Sequence, residues 1–493
     1  MSKYVNTQIV NQEILNKTIE LCKQRNIILP TFDQLAHPEK VPAKIVEKLK
    51  TIGLWDVDPL NLFRISWHND IKTGGYGKVN AIEIPTVLSG VKAPIYVLIG
   101  KRFPTGCHKV GATYGPLVSR LIRGDFDPTT QKALWPSTGN YCRGGAFNSR
   151  LLGCTAIAVL PEQMSQERFN WLKEIGAEVY ATPGCESNVK EIFDKAGSLT
   201  KEGAGKVVNL NQFEEFANPI FHYHVTGPAM EEVFNDHKKE GSRLAGVCLN
   251  QGSAGTLASG MYLHKKYPHM KLGCSEALQC PTLLVNGFGD HRIEGIGDKH
   301  VPWVLNAKDQ DVVLGIDDEA CMQMLRVFNT PEGKKVLKEH GVSDELIEDL
   351  ANLGISGIAN ILGCIKMAKY FEFTEKDMMF TVATDSAVMY QSRLKELEEK
   401  HGKYTECQAY ADWFRYMLGA STDHVEELTY ATRKRIHNLK YYTWIEQQGK
   451  TLEELNAQWY CDNYWDAQMN AAIEYDKLIV AFNEKTGLLK QYE

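Results

Sequence analysis

The 12 cysteines of this chain include no C-x-x-C pair, and no stretch of about 18 apolar residues occurs anywhere. Scattered thiols argue against a zinc cage and against a disulfide scaffold, so no metal is expected and the cysteines should be reduced, several of them buried. A missing apolar run leaves nothing to span a membrane. Basic runs are also missing. Lys and Arg total 55 against 61 Asp and Glu, a net charge of -6. That spread leaves no basic face for nucleic acid or an anionic membrane. Met1-Ser2-Lys3-Tyr4 is not followed by a signal-peptide core, and the expected address is the cytoplasm.

What is present is length and alternation. A chain of 493 residues can bury a large core in two or more domains. Residues 8–24 read as an amphipathic helix and 43–52 as a second, and nothing before about residue 85 carries evident chemistry. From about residue 86, strand-like and helix-like segments alternate, the pattern of an α/β fold with a largely parallel sheet. Buried strands are expected at 94–100, 155–160, 178–181, 246–249 and 379–383, and helices at 112–122, 145–152, 165–175, 188–199 and 361–370. Such sheets bind ligands beyond the C-terminal ends of their strands.

Three loops stand at such ends. Thr105-Gly106-Cys107-His108-Lys109-Val110-Gly111-Ala112 joins a strand to a helix. A lysine there is ordinarily a solvated charge. Gly106, Gly111 and Ala112 leave room for a planar ligand, and a desolvated lysine can lose its proton and attack a carbonyl. Ser137-Thr138-Gly139-Asn140-Tyr141 reads either as a plain turn or as a carboxylate site at a helix start. Asn250-Gln251-Gly252-Ser253-Ala254-Gly255-Thr256 follows a strand and feeds a helix, so its N–H groups suit a phosphate.

Taken in order, these segments resemble the tryptophan synthase β / cysteine synthase superfamily, the fold type II pyridoxal phosphate enzymes. The resemblance runs from about residue 85 to 395. It includes Val159-Leu160-Pro161-Glu162, Met164-Ser165-Gln166-Glu167-Arg168, Phe216-Ala217-Asn218-Pro219 and His291-Arg292-Ile293-Glu294-Gly295-Ile296-Gly297. Further on it takes in Gly354-Ile355-Ser356-Gly357 and Asp385-Ser386.

It implies two three-layer αβα domains with mostly parallel sheets and the cofactor in the cleft between them, with helical extensions at both ends. The expected boundaries are 1–85, 86–399 and 400–493, with a small subdomain inserted at about 115–230. It implies Lys109 as the catalytic lysine holding pyridoxal 5'-phosphate as an internal aldimine. Gly252, Ser253, Ala254, Gly255 and Thr256 form the phosphate cradle, although Ser253 and Ala254 stand where glycines are usual. Asn140 contacts the cofactor, and Ser356 meets the ring nitrogen; a helix N-cap is the simpler role for that serine. Ser137, Thr138, Gly139 and Asn140 grip the substrate carboxylate.

Tyr141 and Arg143 replace small residues of the relatives. Tyr141 is expected to narrow the site. Arg143 is expected either to face solvent or to recruit an acidic substrate side chain.

The reaction implied is β-elimination or β-replacement on a serine- or cysteine-type amino acid, through an aminoacrylate. The tail and Gly-Ile-Ser-Gly-Ile-Ala-Asn are similar to the β subunit of 2-amino-4-oxopentanoate thiolase, which leaves open carbon–carbon cleavage with a small partner subunit. A cofactor-free paralogue is the third possibility. A homodimer or higher homo-oligomer is expected. Beyond residue 400, Trp444, Trp459, Tyr460, Tyr464 and Trp465 read as core or interface, and Arg433-Lys434-Arg435 as a solvated face.

Overall fold

Two sheets organise the chain, and their strands account for most of the apolar runs. The computed structural model describes residues 4–492; residues 1–3 and 493, the outer ends of the expected extensions, lie outside the described residues. Strands β1 (Ala81–Ile84), β2 (Ile95–Ile99), β7 (Arg243–Asn250), β8 (Lys271–Ala277), β9 (Val312–Ile316), β10 (Asp377–Ala383) and β11 (Val425–Glu427) make a sheet ordered β1-β2-β10-β7-β8-β9-β11. Its inner pairs are parallel, and both edge strands run antiparallel to their neighbours. Strands β3 (Lys132–Pro136), β4 (Ala156–Pro161), β5 (Glu178–Thr182) and β6 (Val207–Asn209) form a second, wholly parallel sheet ordered β5-β4-β3-β6.

Successive residues of the central strands enter different apolar layers. In β10, Met378, Phe380 and Val382 pack into one layer, while Met379 and Ala383 pack into another. In β4, Ala158 and Leu160 face one side and Ile157 and Val159 the other. A parallel strand covered on both faces must be apolar throughout, because neither side meets water. That is why these runs show no alternation in sequence.

The chain leaves the large sheet after β2, builds the small sheet, and returns at β7. The four small strands all lie within residues 115–230. The ends are less separate than expected. β1 falls inside the first 85 residues and β11 beyond 400, so each end of the chain contributes an edge strand to the large sheet. The amphipathic helix Gln12–Gln24, capped by Asn11, buries Leu15, Ile19 and Cys22 and packs on Ala471–Thr486. The Asn483 amide bonds both the N–H and the carbonyl of Leu29, at 3.1 and 2.7 Å.

Trp444, Trp459, Tyr464 and Trp465 of the aromatic tail are core, whereas Tyr460 is 67% exposed. Trp444 is fully buried between Trp303 and Phe193 and donates to the Val301 carbonyl at 2.8 Å. Arg433-Lys434-Arg435 is not a solvated face. Arg433 bonds the Gln310 carbonyl and Asp311, Arg435 bonds the Leu283 and Leu284 carbonyls, and Lys434 lies over Trp459.

Candidate active site

Lys109 opens helix α1 (Lys109–Leu121), nine residues after β2 passes so close to the end of β10 that a Cβ on Gly100 would overlap the Thr384 carbonyl. That approach brings the lysine to the C-terminal edge of the large sheet. Its Nζ lies 3.1 Å from Ser253 Oγ and 3.5 Å from Gln212 Oε1. Burial lowers its pKa to about 8, with Cys107 and Glu186 opposing the shift only weakly. Roughly a tenth is therefore a neutral amine at pH 7, the nucleophilic form, far more than for an exposed lysine.

The small residues around the lysine serve packing more than ligand space. A Cβ on Gly111 would overlap the Phe221 ring, and one on Gly115 would overlap the Ala217 carbonyl. The expectation that Gly111 opens room for a planar group is therefore corrected: that room is filled by Phe221.

The 137–140 loop follows β3, and helix α2 (Asn140–Leu152) starts at Asn140 itself, five residues earlier than expected. Asn140 Nδ2 donates to Asp385 Oδ2 at 2.8 Å. Arg168, fully buried, donates to the Thr138 carbonyl and to the Tyr390 hydroxyl, both at 2.8 Å, and Tyr390 donates to Asp385 Oδ2 at 2.7 Å. Arg168 also sits 3.2 Å from Glu294. This network ties the loop of the small sheet to the segments after β8 and β10 of the large one. Ser137, Thr138, Asn140 and Tyr141 line a cleft with Lys109. The Tyr141 hydroxyl donates to the Leu210 carbonyl at 3.0 Å.

Arg143 is found in neither of its expected places. It is 3% exposed, bonds the Thr105 carbonyl, reaches Asn140 Oδ1 at 3.3 Å, and lies over the Trp171 ring. It is not among the residues lining the cleft. Its charge supports the loop carrying Lys109 and the asparagine from behind.

The 252–256 loop runs from β7 into helix α3 (Leu257–Lys266), with Gly252 and Ser253 facing the cleft and the rest forming the turn. Ala254 takes φ +63°, the left-handed region that a glycine would enter freely. Gly252 admits no side chain, since a Cβ would stand 2.9 Å from the Gly295 carbonyl. Gly255 admits none either, because a Cβ there would overlap Asn218, whose amide holds Ser253 Oγ at 3.1 Å.

Ser356 lies one residue inside helix α4 (Ile355–Tyr370), whose N-cap is Gly354. The serine caps nothing. Its Oγ is buried without a partner and faces Gly295, where an added Cβ would come within 3.7 Å.

A lysine able to be neutral, a loop kept bare of side chains, and a buried hydroxyl awaiting an acceptor together fit pyridoxal phosphate. The last supports the fit because it stands beside the cleft residue Gly295 and has no partner among the described residues.

The cleft also holds residues that sequence reasoning missed: Gln212, Thr384, Glu186 and Asp298. Glu186 follows β5 in Gly184-Cys185-Glu186-Ser187, at a strand end of the kind where ligands bind, and that position was its available signal. Asp298 directly follows the Gly-Ile-Gly segment already noted.

A family model described as "Pyridoxal-phosphate dependent enzyme" matches residues 72–334, more than half of the chain. A cysteine synthase of Staphylococcus aureus is 31% identical over 317 residues, covering 64% of this chain and 93% of that protein. A cystathionine beta-synthase of Saccharomyces cerevisiae is 27% identical, over 68% of this chain and 64% of its own. Among solved structures, cysteine synthase of Entamoeba histolytica shares the fold with a TM-score of 0.55 and 21% identity, covering 68% of this chain and 92% of that one. The chain therefore belongs to the pyridoxal-phosphate dependent enzymes, in the cysteine synthase and cystathionine β-synthase group, whose members act as lyases or transferases at Cβ of amino acids.

Proposed function

We propose that this enzyme binds an amino acid in the cleft between its two sheets and eliminates or replaces the group on Cβ. Lys109 carries the cofactor and serves as the base. The N–H groups of Gly252, Ser253, Ala254, Gly255 and Thr256 hold the phosphate, helped by the start of α3. Ser356 Oγ and Asn140 would hold the cofactor ring, the serine at its nitrogen and the asparagine at its oxygen substituent. Ser137, Thr138, Gly139 and Asn140 take the substrate carboxylate, with Tyr141 narrowing the cleft beside them.

When bound, pyridoxal phosphate supplies the electron sink that makes Cα acidic. The protein supplies everything around it. Lys109 Nζ, kept partly neutral by burial, is placed to accept the Cα proton. Ser356, a neutral hydroxyl, would meet the cofactor without bringing a charge to it, which suits loss of a Cβ group. The Arg168–Asp385–Asn140 network fixes the carboxylate loop against the large sheet, so substrate orientation is set before reaction.

The single observation carrying this reading is the juxtaposition of half-buried Lys109 with the 252–256 loop, through its 3.1 Å contact with Ser253. The relatives favour chemistry at Cβ over the carbon–carbon cleavage that the tail's thiolase resemblance left open. A reducing, cytoplasmic location is supported by 12 free thiols with no disulfide among the described residues. A homodimer is the assembly proposed, supported by the exposed Val285 and Phe288 after β8. The test is to supply O-acetylserine with and without a small thiol. Thioether product with thiol, or pyruvate without it, is expected; cleavage of a 2-amino-4-oxo acid with neither of these would overturn the reading.

A further inference from the structure

Glu186 is a buried carboxyl at the edge of the cleft, set beside the Thr138 hydroxyl, the Gly295 N–H and Arg168. It is 3% exposed, lines the cleft with Lys109, Thr138 and Gly295, and its Oε2 has no hydrogen-bond partner. Asp385 Oδ1 is also unpaired, but Asp385 and Glu294 lie outside the cleft lining and are engaged by side-chain or backbone donors. Asp385 receives Asn140 and Tyr390, and Glu294 receives Arg393 and the Ser165 N–H. A buried polar atom left unpaired at the edge of a ligand cleft is a group aimed at the ligand.

Two states are open to such a group. Ionised, it would stand beside a loop that takes the substrate's own carboxylate, and the two anions would repel. Protonated, it carries a proton where substrate can take it. The groups facing Glu186 are the Thr138 hydroxyl, the Gly295 N–H, Arg168, Glu294 and, across the cleft, Lys109. Arg168, Thr138 and Gly295 favour the anion, yet burial outweighs them and raises the pKa to about 8. Asp298, the other carboxyl in the lining with an unpaired oxygen, is the poorer donor. Burial raises the Asp298 pKa as well, but His300 Nδ1 and the His300 N–H both lie 3.0 Å from its Oδ1 and oppose that rise.

We propose that Glu186 is the proton donor to a hydroxyl leaving group on Cβ, so that this enzyme accepts serine-type substrates whose hydroxyl is not activated by acylation. The inference rests on the function proposed above. As the Cβ–O bond breaks, its electron pair stays on oxygen and the Glu186 carboxyl proton moves to that oxygen, releasing water. The Cα proton goes to Lys109. In replacement, an incoming thiol gives its proton to the Glu186 carboxylate and its sulfur bonds to Cβ, which restores the acid. Atoms and charges balance, and no co-reactant beyond substrate and thiol is needed. An acetate leaving group departs as a stable anion and needs no such proton.

Glu186→Gln keeps the shape and removes the acid, and holoenzyme should be compared on serine and O-acetylserine. General acid catalysis is worth roughly 10²–10⁴-fold, so kcat/KM for serine should fall by that factor and far less for O-acetylserine. The fall in serine rate as pH rises through about 8 should vanish from the variant, and Glu186→Asp should recover part of the serine rate. A second readout needs no turnover. The infrared difference between wild type and Glu186→Gln at neutral pH should show loss of a protonated carboxylic acid C=O stretch.

Equal losses on both substrates, or a difference spectrum showing only a carboxylate, would overturn the role of Glu186 while leaving the Cβ chemistry standing. Wild-type holoenzyme inert toward both substrates would remove the function and this inference together.

Discussion

Lys109 and Arg143 are both cations taken out of water, and their surroundings give them different work. Lys109 faces a cleft and two weak acceptors, so burial shifts it toward the neutral amine. Arg143 meets the Thr105 carbonyl, Asn140 Oδ1 and the face of Trp171, and so holds the backbone before Lys109. Arg143→Met leaves the buried Thr105 carbonyl without that donor. The expected loss is about 1–3 kcal/mol of stability by chemical denaturation. Activity should fall by one common factor on acidic and neutral substrates alike, as for a positioning residue. A loss confined to acidic substrates would put the guanidinium on the substrate after all.

At the scale of elements, the two loops entering helices act through close approach. Gly144 and Gly145 lie inside α2; a Cβ on the first would stand 2.8 Å from Val110, and one on the second would overlap Trp135. Glycines required by packing are poor helix formers on their own, which is why residues 140–144 read as loop in the sequence although they are helical. The buried strands were legible because parallel strands covered on both faces are continuously apolar. β11 was not legible, since its three residues pair with β9 by tertiary context alone. The lysine, asparagine and small-residue loops were legible by resemblance. Glu186 was not, because a single buried carboxyl leaves no periodic trace.

In the 252–256 loop, Gly255→Ala adds one carbon that must displace Asn218. Asn218 in turn holds Ser253, an acceptor of Lys109. Overpacking of this kind costs about 1–3 kcal/mol, so cofactor affinity should weaken roughly ten- to a hundredfold in equilibrium dialysis. Unchanged affinity would show that the cradle tolerates the shift and that the phosphate is held elsewhere.

At the scale of the whole molecule, the two sheets form one site only because segments far apart in sequence lock together. Asn140 meets Asp385, and Arg168 meets Glu294 and Tyr390. The tail belongs to the same body. Lys440 Nζ bonds the Trp303 and Leu305 carbonyls at 2.9 and 2.6 Å and Gln458 at 2.7 Å, pinning the aromatic cluster to the segment after the cleft.

Lys440 is also the sharpest internal rival to Lys109. It is fully buried, more so than Lys109, and its pKa is likewise pushed down by desolvation. Its ammonium, however, is spent on three acceptors in the core, whereas Lys109 opens onto the cleft. Borohydride reduction of the cofactor-loaded protein, followed by peptide mapping, decides between them and tests the central claim directly. The account predicts one cofactor adduct per chain, on Lys109, and none in Lys109→Ala. An adduct on Lys440 or any other lysine, or one that survives Lys109→Ala, would contradict it.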